Sequence, residues 1–389
     1  MSLKPSQIQA ILNAKQDDFK RFDRTALKDL QQYRAAWVEF AQQSEGEQAI
    51  QLAAHPDKLG ARPLESFAET QQGILTAHLI WRNREESLAW VRDRLTGITT
   101  FAVDGSQIFP NKDFSIPVAL VQIGWFENGH DQVGSYEKDI QLDVMTPVDL
   151  QADQSNEPVD RRVNVRRFEM ETQRLVKYIE SVADPSRCLV FFDGSLVATF
   201  AEAFDETTRQ AYRRCLLTLL RASEKHRTPL LGYVDTSYAR DLTTLLLRLW
   251  RLSESEAVHD AQILNRFMSW GDRTPLFQCE RGGILETYQE QRDRITFTYL
   301  KTTREGYPAR LEMPRWIWEA GLVNQVVDWV RAEVIIGGGY PYVIETADQT
   351  AVLQTQDRQI FYRMLQDWAE QEGLNLRLSR KMVSKARRR

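Results

Sequence analysis

Cysteine is scarce in this chain of 389 residues: only Cys188, Cys215 and Cys279, widely spaced and odd in number. That pattern excludes a disulfide framework and a cysteine-based zinc site, and it predicts a reducing, cytoplasmic setting. Histidine is nearly as rare. The five (His55, His78, His130, His226, His259) include no pair at i, i+4, which excludes a helix-borne histidine zinc hydrolase. No apolar run reaches about 18 residues, so no transmembrane helix is expected, and no membrane partner. The opening MSLKPSQIQAILNAKQDDFKRF has no apolar core and no small-residue cleavage site, so no signal peptide is expected. Charge of one sign is also lacking. A net charge of −4 excludes a globally basic nucleic-acid binder and leaves room for a local basic patch. Metal chemistry here must be carried by carboxylates.

What remains is ordinary globular composition, 42% apolar and 27% charged, which excludes disordered, collagen-like and coiled-coil classes. The length predicts two to three domains and a core that needs no staples. Residues 1–98 read as a helical region, a cap or dimerisation arm. Apolar residues recur at three and four (Leu27, Leu30, Tyr33, Trp37, Phe40), and a second helix is expected over 71–95. At Thr99 the pattern changes. TTFAVDGSQIF reads as a strand that breaks at Asp-Gly, IPVALVQIGWFEN as a second strand, and 135–142 as a third. Residues 143–160 read as a loop. Helices are expected over 164–182, 206–224, 241–254, 322–335 and 350–371, and strands over 188–192, 229–234, 295–300 and 309–313, with 340–345 completing the fold. Apolar strands alternating with helices predict an α/β domain over 99–372 around a buried sheet. After Glu372 come seven Lys or Arg and no acid, while the rest of the chain carries −11. Residues 373–389 are therefore a basic tail, able to neutralise phosphates or simply solvated.

One tripeptide occurs twice after an apolar strand: Asp104-Gly105-Ser106 and Asp193-Gly194-Ser195. A strand holds its aspartate rigidly, and glycine lets the backbone leave without a Cβ clash. Two such strands side by side in a parallel sheet bring both carboxylates to one edge, where open α/β sheets keep their sites. Carboxylates that close repel unless a cation lies between them, and oxygen-only ligation suits Mg2+ or Mn2+. Two such ions can activate a water and stabilise the leaving oxygen of a phosphodiester. The competing explanation is a pair of Asp-Gly hairpin turns. A third acid is available on the helix NVRRFEMETQRLVKYIE, where Glu169 and Glu171 flank the apolar face on opposite sides; periodicity does not choose between them. Near the end, GGGYPYVIETADQTAVL offers two tyrosines, Glu345 and Asp348, without the Gly-Lys-Ser or Gly-Lys-Thr of a phosphate loop.

These residues in this order (FAVDGSQ, an acidic helix, VFFDGSL and a late YPYVIETAD) resemble the NurA nuclease family from about Phe101 onwards. The resemblance implies a ribonuclease H-like mixed sheet core flanked by helices, a homodimeric ring, and a Mn2+-dependent deoxyribonuclease that works with the hexameric HerA translocase in DNA end processing and repair. It implies Asp104, Asp193 and a helical glutamate as metal ligands. Glu171 is preferred because Arg167, four residues before it, is similar to the family pattern; Glu169 is the alternative. The family's late tyrosine falls on Tyr340, and its histidine eight residues on is replaced here by Asp348. Asp235 also departs from the lysine found in relatives.

The expectation is therefore a Mn2+- or Mg2+-dependent phosphodiester hydrolase acting on DNA as a 5'-3' exonuclease, a single-strand endonuclease or both. Asp104, Glu171, Asp193 and Asp348 would hold two ions, Tyr340 would position water or phosphate, and Lys301 and Arg310 would neutralise the strand. The alternative is a catalytically weakened DNA-binding ring or adaptor for a HerA-like ATPase.

Overall fold

The computed structural model describes residues 3–55, 58–131, 133–151 and 158–377. The basic tail lies almost wholly outside them. The described residues hold nine strands: β1 (Gly60–Pro63), β2 (Thr99–Ile108), β3 (Ala119–Asn128), β4 (Tyr136–Met145), β5 (Cys188–Asp193), β6 (Leu230–Val234), β7 (Phe277–Glu280), β8 (Ile295–Leu300) and β9 (Ala309–Pro314). The fold is mixed α/β, with sheet strands flanked by helices.

Contacts divide the chain into two compact units. They do not follow the partition 1–98, 99–372 and 373–389 expected from sequence. One unit comprises the described residues of 81–233, 283–292 and 312–377; the other comprises those of 3–80, 234–282 and 293–311.

In the first unit the strands stand in the order β6-β5-β2-β3-β4. β2, β5 and β6 run parallel, and β3 and β4 are antiparallel additions. The apolar runs Phe101–Val103 and Cys188–Phe192 are buried because helices cover both faces, as parallel strands require. Alternation sends successive side chains to opposite faces. Phe101 stacks on Tyr178 of the helix Val159–Ser181, with ring centroids 3.7 Å apart. On the other face, the Ser106 hydroxyl donates to the carbonyl of Ala351, which ends the helix Tyr342–Ala351.

Several expectations are corrected here. β2 does not break at Asp-Gly. It runs on to Ile108, because β3 pairs with it through Asp104↔Gly124 and Ser106↔Gln122 after the parallel ladder with β5 ends. The loop expected over 143–160 begins with the end of β4 and a short helix, Pro147–Leu150; 152–157 lie outside the described residues. The helix expected over 350–371 is two helices, Tyr342–Ala351 and Thr355–Gln371. Of the helix expected over 71–95 only Arg84–Leu95 forms, capped by the Asn83 side chain accepting from Glu86 N at 2.9 Å.

In the second unit the strand order is β1-β7-β8-β9. Three helices precede β1: Pro5–Ala14, Gln16–Gln42 and Glu45–Ala53. Tyr33, Trp37 and Phe40 are buried as the periodicity predicts, but Leu27 is half exposed. β1 lies inside the region expected to be all helical, pairing antiparallel with β7, a strand the sequence reading lacks. Leu75 is likewise drawn into extended pairing with Arg273, which overrides local helical character.

Candidate functional site

The two Asp-Gly-Ser segments lie side by side. The parallel register pairs Val103 with Phe192, so Asp104 and Asp193 follow at the same level on neighbouring strands, about 5 Å apart in the hydrogen-bonding direction. Neither segment is a hairpin turn. The two serines act as pins. The Ser106 hydroxyl donates to Ala351 O and accepts from Leu353 N, both at 2.9 Å. The Ser195 hydroxyl donates to Glu312 Oε2 at 2.8 Å, and the same oxygen accepts from Leu196 N at 2.7 Å.

Two glycines let further acids approach. A Cβ on Gly105 would collide with Glu171 Oε1 and would stand 2.8 Å from Arg167 Cγ. The absent side chain is thus the space through which Glu171 reaches β2 from the helix Val159–Ser181. A Cβ on Gly124, opposite Asp104, would stand 2.6 Å from Ala351 N. Its absence lets the end of the helix Tyr342–Ala351, which carries Asp348, lie against the sheet from the other face. Glu171 is buried and accepts from Arg167 Nη1 at 2.6 Å; the same nitrogen donates to Gly105 O at 3.3 Å. Glu169 points elsewhere, toward Arg166 at 3.7 Å and Arg214 at 3.6 Å.

Asp348 lies beside Asp104, and the Tyr340 hydroxyl donates to Asp193 Oδ1 at 3.1 Å. Five of the sequence-predicted residues therefore come together: Asp104, Glu171, Asp193, Tyr340 and Asp348. Asp193 and Asp348 are exposed and Glu171 is buried, so the group is closed behind and open in front. Burial pushes the Asp104 carboxyl up to about 7, with Asp348 and Asp193 adding to it. Burial likewise pushes Glu171 up to about 8, against the pull of Arg167 and with the charges of Asp104 and Asp193 adding to it. Among the described residues no three acidic, histidine or cysteine side chains are placed so that they could hold a metal ion together.

Lys301 and Arg310 are not placed for strand contact. Lys301 is buried and donates to Asn265 Oδ1 and to Gly306 O. Arg310 is 1% exposed and pairs with Asp241 Oδ2 at 2.8 Å, its guanidinium 3.8 Å from the Phe297 ring centroid. A cation needs buried partners to be taken out of water, and these two have them.

Sequence reasoning missed two buried acids that hold the site's supports. Glu312 anchors the second Asp-Gly-Ser segment as described. Glu333, 0% exposed, accepts from the Thr100 hydroxyl at 2.8 Å and from Val343 N at 3.0 Å at the start of the Asp348 helix, and lies 3.2 Å from His130 Nε2. A glutamate inside a largely apolar helix run (VVDWVRAEVII) was the available signal.

The structure thus defines an α/β protein with Asp104 and Asp193 side by side where two parallel strands end their shared ladder, Glu171 reaching them from one face and Asp348 from the other. The NurA domain matches residues 98–353, and the chain belongs to the NurA family. No curated protein matches the sequence. Among solved structures, a NurA crystal structure with manganese shares 10% identity, covering 75% of this chain and 94% of that one, with a TM-score of 0.38. Another NurA crystal structure shares 8% identity over 72% of this chain and 93% of its own, with a TM-score of 0.41. A third, of NurA bound to dAMP and manganese, shares 10% identity over 88% and 95%, with a TM-score of 0.39.

Proposed function

We propose that the chain is a metal-dependent nuclease acting on DNA. The observation that carries this is the side-by-side placement of Asp104 and Asp193 on parallel strands, with Glu171 reaching Gly105 from the covering helix and Tyr340 bonded to Asp193. Carboxylates crowded together repel one another unless a proton or a cation lies between them. The donor set is all oxygen, which fits Mn2+ or Mg2+ rather than zinc. Asp104, Asp193 and Asp348 would hold the metal, with Glu171 as the fourth acid and two ions as the full complement.

Bound there, the metal supplies an activated water and neutralises charge on the phosphodiester. The chain's own groups orient the centre. Tyr340 fixes the Asp193 carboxylate through its hydroxyl. Arg167 holds Glu171 and supplies positive charge beside the place a phosphate would take. The open side formed by Asp193 and Asp348 is where a strand would enter.

Family membership supports a ribonuclease H-like core, a homodimer, a HerA-like hexameric ATPase as partner, and a role in DNA end processing and repair. Exonuclease action from 5' to 3', single-strand endonuclease action, or both belong to the same reading.

A second reading, a weakened DNA-binding ring or adaptor for that ATPase, is favoured by Asp348 at the family's histidine position and by the absence, among the described residues, of any three such side chains placed to hold a metal ion together. End-labelled single- and double-stranded DNA incubated with Mn2+, Mg2+ or EDTA separates the two. The nuclease gives metal-dependent products that an Asp193→Ala variant loses by about a hundredfold or more. DNA binding without cleavage in any lane, with the ATPase partner present, supports the adaptor instead.

A further inference from the structure

Glu333 gathers groups from three other elements of the unit that holds Asp104 and Asp193. Its Oε1 accepts from the Thr100 hydroxyl of β2 and faces His130 Nε2 at 3.2 Å, and its Oε2 accepts from Val343 N. Val343 lies in the first turn of the helix Tyr342–Ala351, where Pro341 stands at the N-cap and offers no side-chain cap. The first N–H groups of a helix need an outside acceptor, and negative charge there suits the helix dipole. Glu333 thus caps the helix that carries Asp348, reaching it from the helix Val323–Ile336.

This cap is wholly buried, and a buried carboxylate needs a counter-charge. His130, whose side chain is 10% exposed, is placed to give it. Its Nδ1 lies 2.8 Å from the Ile98 carbonyl, which can only accept, so Nδ1 carries a hydrogen. Its Nε2 stands between two partners of opposite kind: Asn128 Nδ2 at 3.1 Å, a donor, and Glu333 Oε1 at 3.2 Å, an acceptor. Asn128 presents its nitrogen because its Oδ1 accepts from His130 N at 3.3 Å. A neutral ring accepts from Asn128, and a protonated ring donates to Glu333. The proton at Nε2 therefore selects the partner. Burial opposes that proton, but the bond and charge of Glu333 outweigh burial and raise the His130 pKa.

The backbone holds the ring at this junction. His130 sits in the left-handed region, φ +43°, and Gly97 N donates to its carbonyl at 3.2 Å. A residue other than glycine stays there only where its surroundings impose it. The other ionisable groups on the packed elements are engaged or exposed. Asp328 pairs with Arg94 at 3.6 Å and with Arg331 at 2.7 Å, and Glu127 bonds to Tyr178. Asp131 accepts from Ser135 N at 2.9 Å, Tyr342 packs against the Phe126 ring, and Glu345 is exposed.

We propose that His130 is a positioning residue for Asp348, a latch on the start of its helix that is worked by the proton at Nε2. Protonated, His130 neutralises Glu333 and the cap on Val343 is firm. Deprotonated, it turns to Asn128, Glu333 is left without a counter-charge, and the helix start loosens. The latch stands on this geometry; its bearing on metal affinity rests on the metal centre proposed above.

Hydrogen exchange over residues 340–351 tests this in the whole chain in EDTA, corrected for the intrinsic effect of pH on exchange. From about pH 5.5 to about pH 8.5, protection of the helix start is expected to fall by about tenfold or more, as for loss of a hydrogen bond to a charged group. His130→Asn tolerates the left-handed backbone and should show the low protection throughout. Histidine NMR titration should place His130 above the ordinary 6.5 in the wild type, and below it in Glu333→Gln, where burial is unopposed. If Glu333→Gln does not fold, His130→Asn and the wild-type titration carry the test. Protection independent of pH in the wild type overturns the proposal, as does His130 titrating at or below 6.5. So does the same pH dependence in His130→Asn, which would assign it to Asp104 and Glu171 instead. No readout needs a metal, so failure of the metal centre and failure of the latch are told apart.

Discussion

The Glu171 carboxylate stands where a side chain on residue 105 would have to be. Glycine in the first Asp-Gly-Ser segment is therefore a matter of access, since residue 105 sits within a regular ladder with Gly105↔Ile123 pairing. The helix can deliver its acid to the Asp104 strand only across a residue without a Cβ. The Gly105→Ala variant is expected to push Glu171 and Arg167 away, costing about 1–3 kcal/mol of stability by overpacking. DNA cleavage should fall by about tenfold or more, because displacing a positioned group by about 1 Å can cost more than that. Denaturant titration and a cleavage assay on the folded protein check both. Full activity in the alanine variant would contradict the role given to Glu171.

The raised carboxyls give the metal-free protein a definite pH dependence. Folded Asp104 keeps its proton to about 7, and the unfolded chain releases it near 3.8. Between these values the folded state binds more protons than the unfolded state, so stability falls as pH rises. Glu171, raised from 4.5 to about 8, acts in the same sense. In EDTA the melting temperature is expected to drop from about pH 5 to about pH 8. The Asp104→Asn variant should flatten that slope, recovering about 4 kcal/mol at most at the alkaline end. A melting temperature that rises over this range in EDTA would count against a crowded acid cluster.

Arg310 is a structural cation. It is buried with Asp241, which Arg281 also holds, Arg281 Nη2 lying 2.5 Å from Asp241 Oδ2. Arg310→Met is expected to cost about 3–5 kcal/mol, the usual result of removing one member of a buried ion pair. DNA affinity of the folded variant should be unchanged. Loss of affinity at unchanged stability would restore Arg310 as a strand contact.

Part of this site was legible in the sequence. An apolar run closed by Asp-Gly-Ser, met twice, placed Asp104 and Asp193 on neighbouring parallel strands. The helix bearing Glu169 and Glu171 was evident from its spacing, but the choice between them depends on a tertiary fact, the open space over Gly105. The helix Tyr342–Ala351 was hidden because Val343, Ile344, Thr346 and Thr350 are β-branched and weak helix formers. It is fixed at its start by Glu333 of the preceding helix and at its end by Ser106, a contact distant in sequence. Lys301 and Arg310 were misjudged because a cation beside a strand reads the same whether it faces a phosphate or a buried acid. Strand β7 and the pairing of β1 escaped notice because four-residue strands carry too little period to be seen.

The most direct test of the proposed metal centre is calorimetric titration of Mn2+ at about pH 8, where Asp104 is ionised. Saturable binding to the wild-type chain is expected, lost in Asp104→Asn and Asp193→Asn and retained in Glu169→Gln. Absence of Mn2+ binding, or binding that both aspartate substitutions leave intact, would contradict the centre.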